Sequence, residues 1–289
     1  VIRKLIYTVL LASLGSAGWV LADEPAPEVS GSSEAQPVQA LSDSLVDEIG
    51  STPPAALSMN EPMYFILGKQ DGDTKARFQF SFKYRLFDEQ GVVLNTMPFL
   101  KNLHFAYTQT SLWNLSEESA PFEDTSYRPS LFWDVGQKHD MNMATFARFG
   151  YEHESNGKDG DASRSIDSLF MTPGVVVRVL NQDVMFATRL NWRFNKADEN
   201  QDIANFRGYG DLVVRFGNDD STVVQLMHRP GKGGRYSTQV DVSVPIRDRI
   251  FNRTGAFIYV QAFDGHGESM LNYNQRANFN VRLGLAIVR

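Results

Sequence analysis

From Arg77 to Leu86 the chain alternates without a break. Phe78, Phe80, Phe82, Tyr84 and Leu86 take every even position, and Arg77, Gln79, Ser81, Lys83 and Arg85 every odd one. A period of two residues is the pattern of an extended strand with one apolar and one polar face. The alternation returns where Val184, Phe186, Leu190, Trp192 and Phe194 oppose Asp183, Arg189, Asn191 and Arg193. It returns again at the end, where Phe279, Val281, Leu283, Leu285 and Ile287 oppose Asn280, Arg282, Gly284 and Ala286. Repeated through the body of the chain, this pattern points to an all-β fold.

Twelve such segments are read near 63–68, 77–87, 99–112, 127–136, 144–155, 168–180, 183–195, 208–217, 222–229, 236–246, 254–264 and 278–288. Turn chemistry separates several of them, as in Asn181-Gln182-Asp183 and Gly231-Lys-Gly-Gly234. Alternation alone does not say which face is inside, so a soluble sandwich or a lipocalin-like barrel stays open. Three features favour a membrane barrel: segments of about nine to eleven residues, an even count, and a polar face rich in Arg and Lys, as a lumen would be. Beyond residue 22 no stretch reaches the roughly 18 consecutive apolar residues of a membrane helix, so a chain that spans lipid must do so as a closed barrel. The fold expected is therefore a twelve-stranded antiparallel transmembrane β-barrel, with Phe99, Trp113, Tyr127, Trp133 and Trp192 available for interfacial girdles.

Two segments precede it. Arg3 and Lys4 lead into an apolar run ending at Val20-Leu21-Ala22, which reads as a secretory signal over residues 1–22. Residues 23–62 hold eight acids, no base and six prolines, and read as an acidic flexible leader, so the barrel domain is assigned to 63–289. That leader accounts for most of the formal charge of -6, because the body carries 26 residues of each sign. A neutral body excludes nucleic acid as an electrostatic partner. With no cysteine in the chain, stability rests on packing and hydrogen bonds.

Chemistry concentrates in Tyr151-Glu-His153-Glu-Ser155-Asn156-Gly157. On a strand, Thr145, Phe149, Tyr151, His153 and Ser155 share one face, and Arg148, Glu152 and Glu154 the other. If the charged face lines the lumen, His153 and Ser155 look toward lipid, a costly place for idle polar groups. Side chains two residues apart lie about 6.6 Å from each other at the α-carbons, a gap that an imidazole can narrow to a hydrogen bond. Ser155 is then a nucleophile and His153 its base. Asp167 opens the next strand after an eleven-residue loop, where a hairpin returns it beside His153 as a third member. The loop Lys158-Asp-Gly-Asp-Ala-Ser163 is rich in oxygen donors suited to calcium, and equally reads as a solvated hairpin loop. His104, His139, His228 and His266 lack the mutual spacing of a metal site.

These residues resemble the outer-membrane phospholipase A family of Gram-negative bacteria. The resemblance is carried by an ordered series over residues 63–289: Tyr107-Thr-Gln-Thr-Ser111, Ser116-Glu-Glu-Ser119-Ala-Pro-Phe122, His153-Glu-Ser-Asn-Gly157, Ser163-Arg-Ser165 and Gly265-His-Gly-Glu-Ser-Met-Leu-Asn-Tyr-Asn274. It implies a twelve-stranded outer-membrane barrel that hydrolyses acyl esters of phospholipids and lysophospholipids, requires calcium, and is active as a homodimer. It further implies Ser155 as nucleophile, His153 as general base and the Gly157 backbone N–H as part of an oxyanion hole. Ser163 and the Lys158 carbonyl match calcium ligands, Ser119 matches the ligand given by the partner, and Gln109 matches a polar residue of the dimer interface. Asp167 stands where the family commonly has Asn, and Gly160 stands where it commonly has an acid, with Asp159 and Asp161 on either side.

Overall fold

The computed structural model describes residues 56–88, 90–218, 221–246 and 255–288. The signal expected over 1–22 and the leader as far as residue 55 lie outside the described residues.

A two-residue strand, β1 (Leu57–Ser58), is followed by β2 (Met63–Gln70), β3 (Asp73–Arg85), β4 (Leu103–Asn114), β5 (Phe122–Lys138), β6 (Met143–Ser155) and β7 (Ser165–Val179). Then come β8 (Gln182–Phe194), β9 (Gly210–Phe216), β10 (Val223–Pro230), β11 (Tyr236–Pro245), β12 (Phe257–His266) and β13 (Arg276–Val288). Neighbours from β2 to β13 pair antiparallel, and β13 pairs back onto β2, with Arg282 opposite Gly68 and Val288 opposite Met63. The sheet closes, giving a twelve-stranded barrel whose strands correspond one to one with the alternating segments.

Every barrel strand carries a large apolar side chain more than a third exposed, among them Leu67, Phe80, Phe149, Leu169, Leu190, Ile258 and Leu283. Soluble monomers rarely expose contiguous apolar patches beyond a few hundred Å², so a belt on all strands marks a lipid-facing wall and removes the soluble alternatives. The polar face turns inward. Arg148 grips Asp134 with two bonds of 2.6 and 2.9 Å, and Arg229 grips Asp211 at 2.7 and 3.0 Å. Arg189 meets Glu152 at 2.9 Å, and Arg282 meets Glu268 at 2.6 Å. The Arg148 and Arg189 guanidinium groups each lie 4.0 Å from a ring centroid, Phe132 and Phe170 respectively. A lumen crossed by paired charges and rings is built as a strut rather than as a passive pore.

Several boundaries differ from the sequence reading. β3, β5 and β7 begin at Asp73, Phe122 and Ser165, three to five residues earlier than read, because these upper ends rise above the apolar belt and lose its alternation. Residues 99–102, read as strand, instead hold a 3₁₀ turn (Pro98–Leu100) that follows helix α1 (Val92–Thr96). Residues 57–62, grouped with the leader, belong to the barrel. Leu57 and Ser58 pair with Tyr84 and Lys83 of β3, on the edge that β2 occupies further along. Between β1 and β2 the chain dips inward. Asn60 accepts from Arg148 at 2.7 Å, Glu61 accepts from Arg128 at 2.6 Å, and the Glu61 N–H donates to Ser81 at 3.1 Å. Such a segment is polar because its partners are lumen groups, and in composition it looks like a linker.

Arg128 also approaches Glu152, at 3.9 Å, so its loss leaves two lumen carboxylates short of a partner. Arg128→Ala is expected to lower stability by about 2 kcal/mol, less than the full cost of orphaning a buried charge because Glu61 keeps some solvent contact. The midpoint of urea unfolding in lipid vesicles measures it.

Candidate active site

The site is the upper end of the β6–β7 hairpin on the outer face of the wall. Antiparallel register sets His153 directly opposite Asp167 and Ser155 opposite Ser165. His153 Nδ1 lies 2.7 Å from Asp167 Oδ1. An ionised carboxylate only accepts, so Nδ1 carries the proton and, in the neutral ring, Nε2 is left as the basic nitrogen. Ser155 follows two residues later on the same strand face, and both side chains are partly accessible. Asp167, by contrast, is 6% exposed. The three residues expected from sequence thus sit together on one corner of the wall.

Two further donors reach the carboxylate. Tyr151 OH donates to Oδ1 at 2.7 Å, and Asn195 Nδ2 donates to Oδ2 at 2.5 Å. Asn195 is one residue past Phe194, which faces Asp167 in the β7–β8 register. Its φ of +44° is a left-handed conformation that Asn tolerates better than most residues. Nothing in the local sequence connects Asn195 with His153. The only sign was an Asn closing a strand, which is ordinary turn chemistry.

The loop after Ser155 is fixed by Asn156, which is 4% exposed. Its side chain donates to the Ala162 carbonyl and accepts from the Arg164 N–H, both at 2.9 Å, while its own N–H donates to the Arg164 carbonyl at 3.0 Å. Gly157 has φ +67°, and a Cβ there would come within 2.9 Å of the Tyr127 ring, so the position requires glycine. Behind the loop, fully buried Asn200 brackets Ser165, accepting from its N–H at 3.2 Å and donating to its carbonyl at 3.0 Å. Ile166 packs with Ile203, Met270 and Tyr273, so the loops after β8 and β12 buttress the start of β7 from within. Burial, with a hydrogen bond to Asp202, pushes the Tyr273 phenol up to about 12. Burial would raise the Glu268 carboxyl, but Arg282 and Arg77 outweigh it and hold the group below the usual carboxylate range. The loop after β12 is therefore held at neutral pH by a phenol that stays protonated and a carboxylate that stays ionised.

The calcium ligands expected of one chain, Lys158 and Ser163, both lie in the β6–β7 loop. Ser163 follows the 3₁₀ turn Gly160–Ala162, and Lys158 anchors the loop by donating from Nζ to the Glu123 carbonyl at 2.6 Å. Among the described residues no three His, Asp or Glu side chains group as a metal site. A cation here would be held by carbonyl and hydroxyl oxygens, and among the described residues neither the Lys158 carbonyl nor the Ser163 hydroxyl is engaged in a hydrogen bond. Hard neutral oxygens fit calcium, though two are few for an ion that takes six to eight. Ser119 is exposed, with φ +64°, on the neighbouring loop between β4 and β5. Gln109 lies on the outer face of β4, opposite Tyr127, which is in turn opposite Ser155. It accepts from Tyr107 OH at 2.9 Å. A polar row, Gln109–Tyr127–Ser155, therefore crosses three strands on a face otherwise given to lipid.

Comparison with known proteins follows the same line. The family described as Phospholipase A1 matches residues 58–288. The putative phospholipase A1 of Neisseria meningitidis serogroup B is 28% identical over 223 residues, covering 75% of this chain and 55% of that protein. Phospholipase A1 of Escherichia coli K12 is 30% identical over 193 residues, covering 63% of this chain and 60% of that protein. The chain thus spans a little over half the length of these curated relatives. Outer membrane phospholipase A from Escherichia coli superposes with a TM-score of 0.67 at 23% identity, over 84% of this chain and 96% of that one. The Salmonella typhi outer membrane phospholipase dimer with bound calcium gives 0.67 at 22% identity, over 86% of this chain and 99% of that one. At these identities the two structures bear on the fold.

Asn156 is the loop's main clamp. Asn156→Ala removes three side-chain bonds, to the Ala162 carbonyl and from the Lys158 and Arg164 N–H groups, and limited proteolysis within residues 158–163 is expected to quicken about tenfold while the barrel stays intact on heat-modifiability gels.

Proposed function

The chain belongs to the phospholipase A1 family, and on that premise we propose that it is a calcium-dependent serine hydrolase of the outer membrane that cleaves acyl esters of phospholipids and lysophospholipids. The observation that carries this reading is the 2.7 Å contact between His153 and Asp167 beside Ser155, on the lipid-facing side of the wall.

The Ser155 hydroxyl attacks the ester carbonyl of a lipid lying against β6, and His153 Nε2 takes its proton. Asp167 holds the imidazole by Nδ1 and stabilises the imidazolium. The Gly157 N–H, on a backbone that carries no side chain of its own, is suited to the oxyanion. His153 returns the proton to the departing lysolipid oxygen, leaving the acyl group on Ser155. Water then attacks the acyl-serine with His153 again as base, and the fatty acid leaves as His153 returns that proton to the Ser155 oxygen. Calcium, bound by the Lys158 carbonyl, the Ser163 hydroxyl and the partner's Ser119, would supply positive charge beside that oxyanion.

Two copies facing across the Gln109–Tyr127–Ser155 row would remove their polar groups from lipid and enclose the substrate. The calcium-bound dimer of the Salmonella typhi relative supports this assembly. The signal over 1–22 is assigned to export.

Fatty-acid release from phospholipid–detergent micelles by the full chain tests the reading. Activity is expected with calcium and not with chelator, and Ser155→Ala is expected to lose on the order of 10⁴-fold or more while still folding. Ser119→Ala should raise the calcium concentration for half-maximal activity about tenfold, by removing one ligand oxygen. Undiminished release by Ser155→Ala would sink the assignment.

A further inference from the structure

We propose that Tyr151 and Asn195 are positioning residues that lock the Asp167 carboxylate in line with His153; the proposal rests on the hydrolase reading with Ser155 as nucleophile. Asp167 receives three donors: His153 Nδ1 and Tyr151 OH on Oδ1, both at 2.7 Å, and Asn195 Nδ2 on Oδ2 at 2.5 Å. They come from both flanking strands. Tyr151 and His153 stand two residues apart on β6, and Asn195 closes β8 on the other side of β7.

A carboxylate on the lipid side of a barrel is costly unless its charge is met by donors. Asp167 is 6% exposed, so solvent meets little of that need. Its terminal torsion is broad and roughly two-fold, and with the histidine alone the carboxylate plane would be free to rock. Asn195 removes that freedom by holding the oxygen that His153 does not use. Tyr151 fixes Oδ1, the oxygen that His153 uses, and its ring leans on Phe194 with centroids 6.5 Å apart. The donor set suits a group that accepts at both oxygens, as aspartate does. Neither Tyr151 nor Asn195 is assigned to touch substrate; both act through Asp167.

The test uses the full chain in detergent with calcium. Tyr151→Phe removes only the hydroxyl, and Asn195→Gly removes the amide while tolerating the positive φ. Each is expected to lower kcat about tenfold with KM within twofold, as a misoriented base does. In an Asp167→Ala background the same two substitutions should have no further effect, because the group they act on is gone. Heat-modifiability gels confirm that each variant is folded. Unchanged kcat in the single variants, or an equal further fall in the Asp167→Ala background, overturns the proposal. Ser155→Ala run alongside separates the two readings: its inactivity beside unaffected Tyr151→Phe and Asn195→Gly removes only the positioning role, whereas its full activity removes the hydrolase reading itself.

Discussion

A strand facing hydrocarbon has no solvent to satisfy its backbone N–H and C=O groups, so the pairing of β13 with β2 is the contact on which the rest of the structure depends. Once the sheet closes, strand periodicity sorts every side chain to lumen or lipid. The lumen must then satisfy its own charges, as Arg148 with Asp134 and Arg229 with Asp211 do. Any polar group left on the outside is conspicuous. His153, Ser155, Asp167 and the Gln109 row are such groups, and their position is itself an argument for chemistry at the wall rather than through it.

The same closure explains how the candidate site is held on an open surface. Strands are rigid, and cross-strand register brings His153 and Asp167 together without help from a loop. What the strands do not fix, the lumen side does. Asn200 brackets Ser165 from behind, and the cluster of Ile166, Ile203, Met270 and Tyr273 seats the first turn of β7. The site therefore faces lipid, but its support comes from the polar and apolar filling of the barrel top.

Much of this was legible in the residues. Period-two alternation carried the strand count, and the face assignment of Tyr151, His153 and Ser155 followed from it directly. The strand ends were harder, because above the belt both faces are polar and periodicity vanishes, as at Phe122–Ser126 and Ser165–Asp167. Residues 59–62 were read as linker because polarity alone does not distinguish water from a polar lumen. Asn195 was invisible for a different reason: its partner Asp167 lies 28 residues away on β7, and only the β7–β8 register joins them.

An outward site also constrains how the activity can be completed. One chain offers the Lys158 carbonyl and the Ser163 hydroxyl to a cation that takes six to eight oxygens, and it leaves Gln109, with its hydroxyl neighbours, facing hydrocarbon. Both deficits lie on the same side of the barrel, joined through Tyr127 to Ser155. A second copy docked on that side would relieve both at once, adding oxygen ligands above and polar partners below. On the proposed reading, assembly and catalysis are therefore coupled by a shared shortage of hydrogen-bonding and coordinating groups, and a single barrel in lipid carries a triad that is aligned but incompletely surrounded.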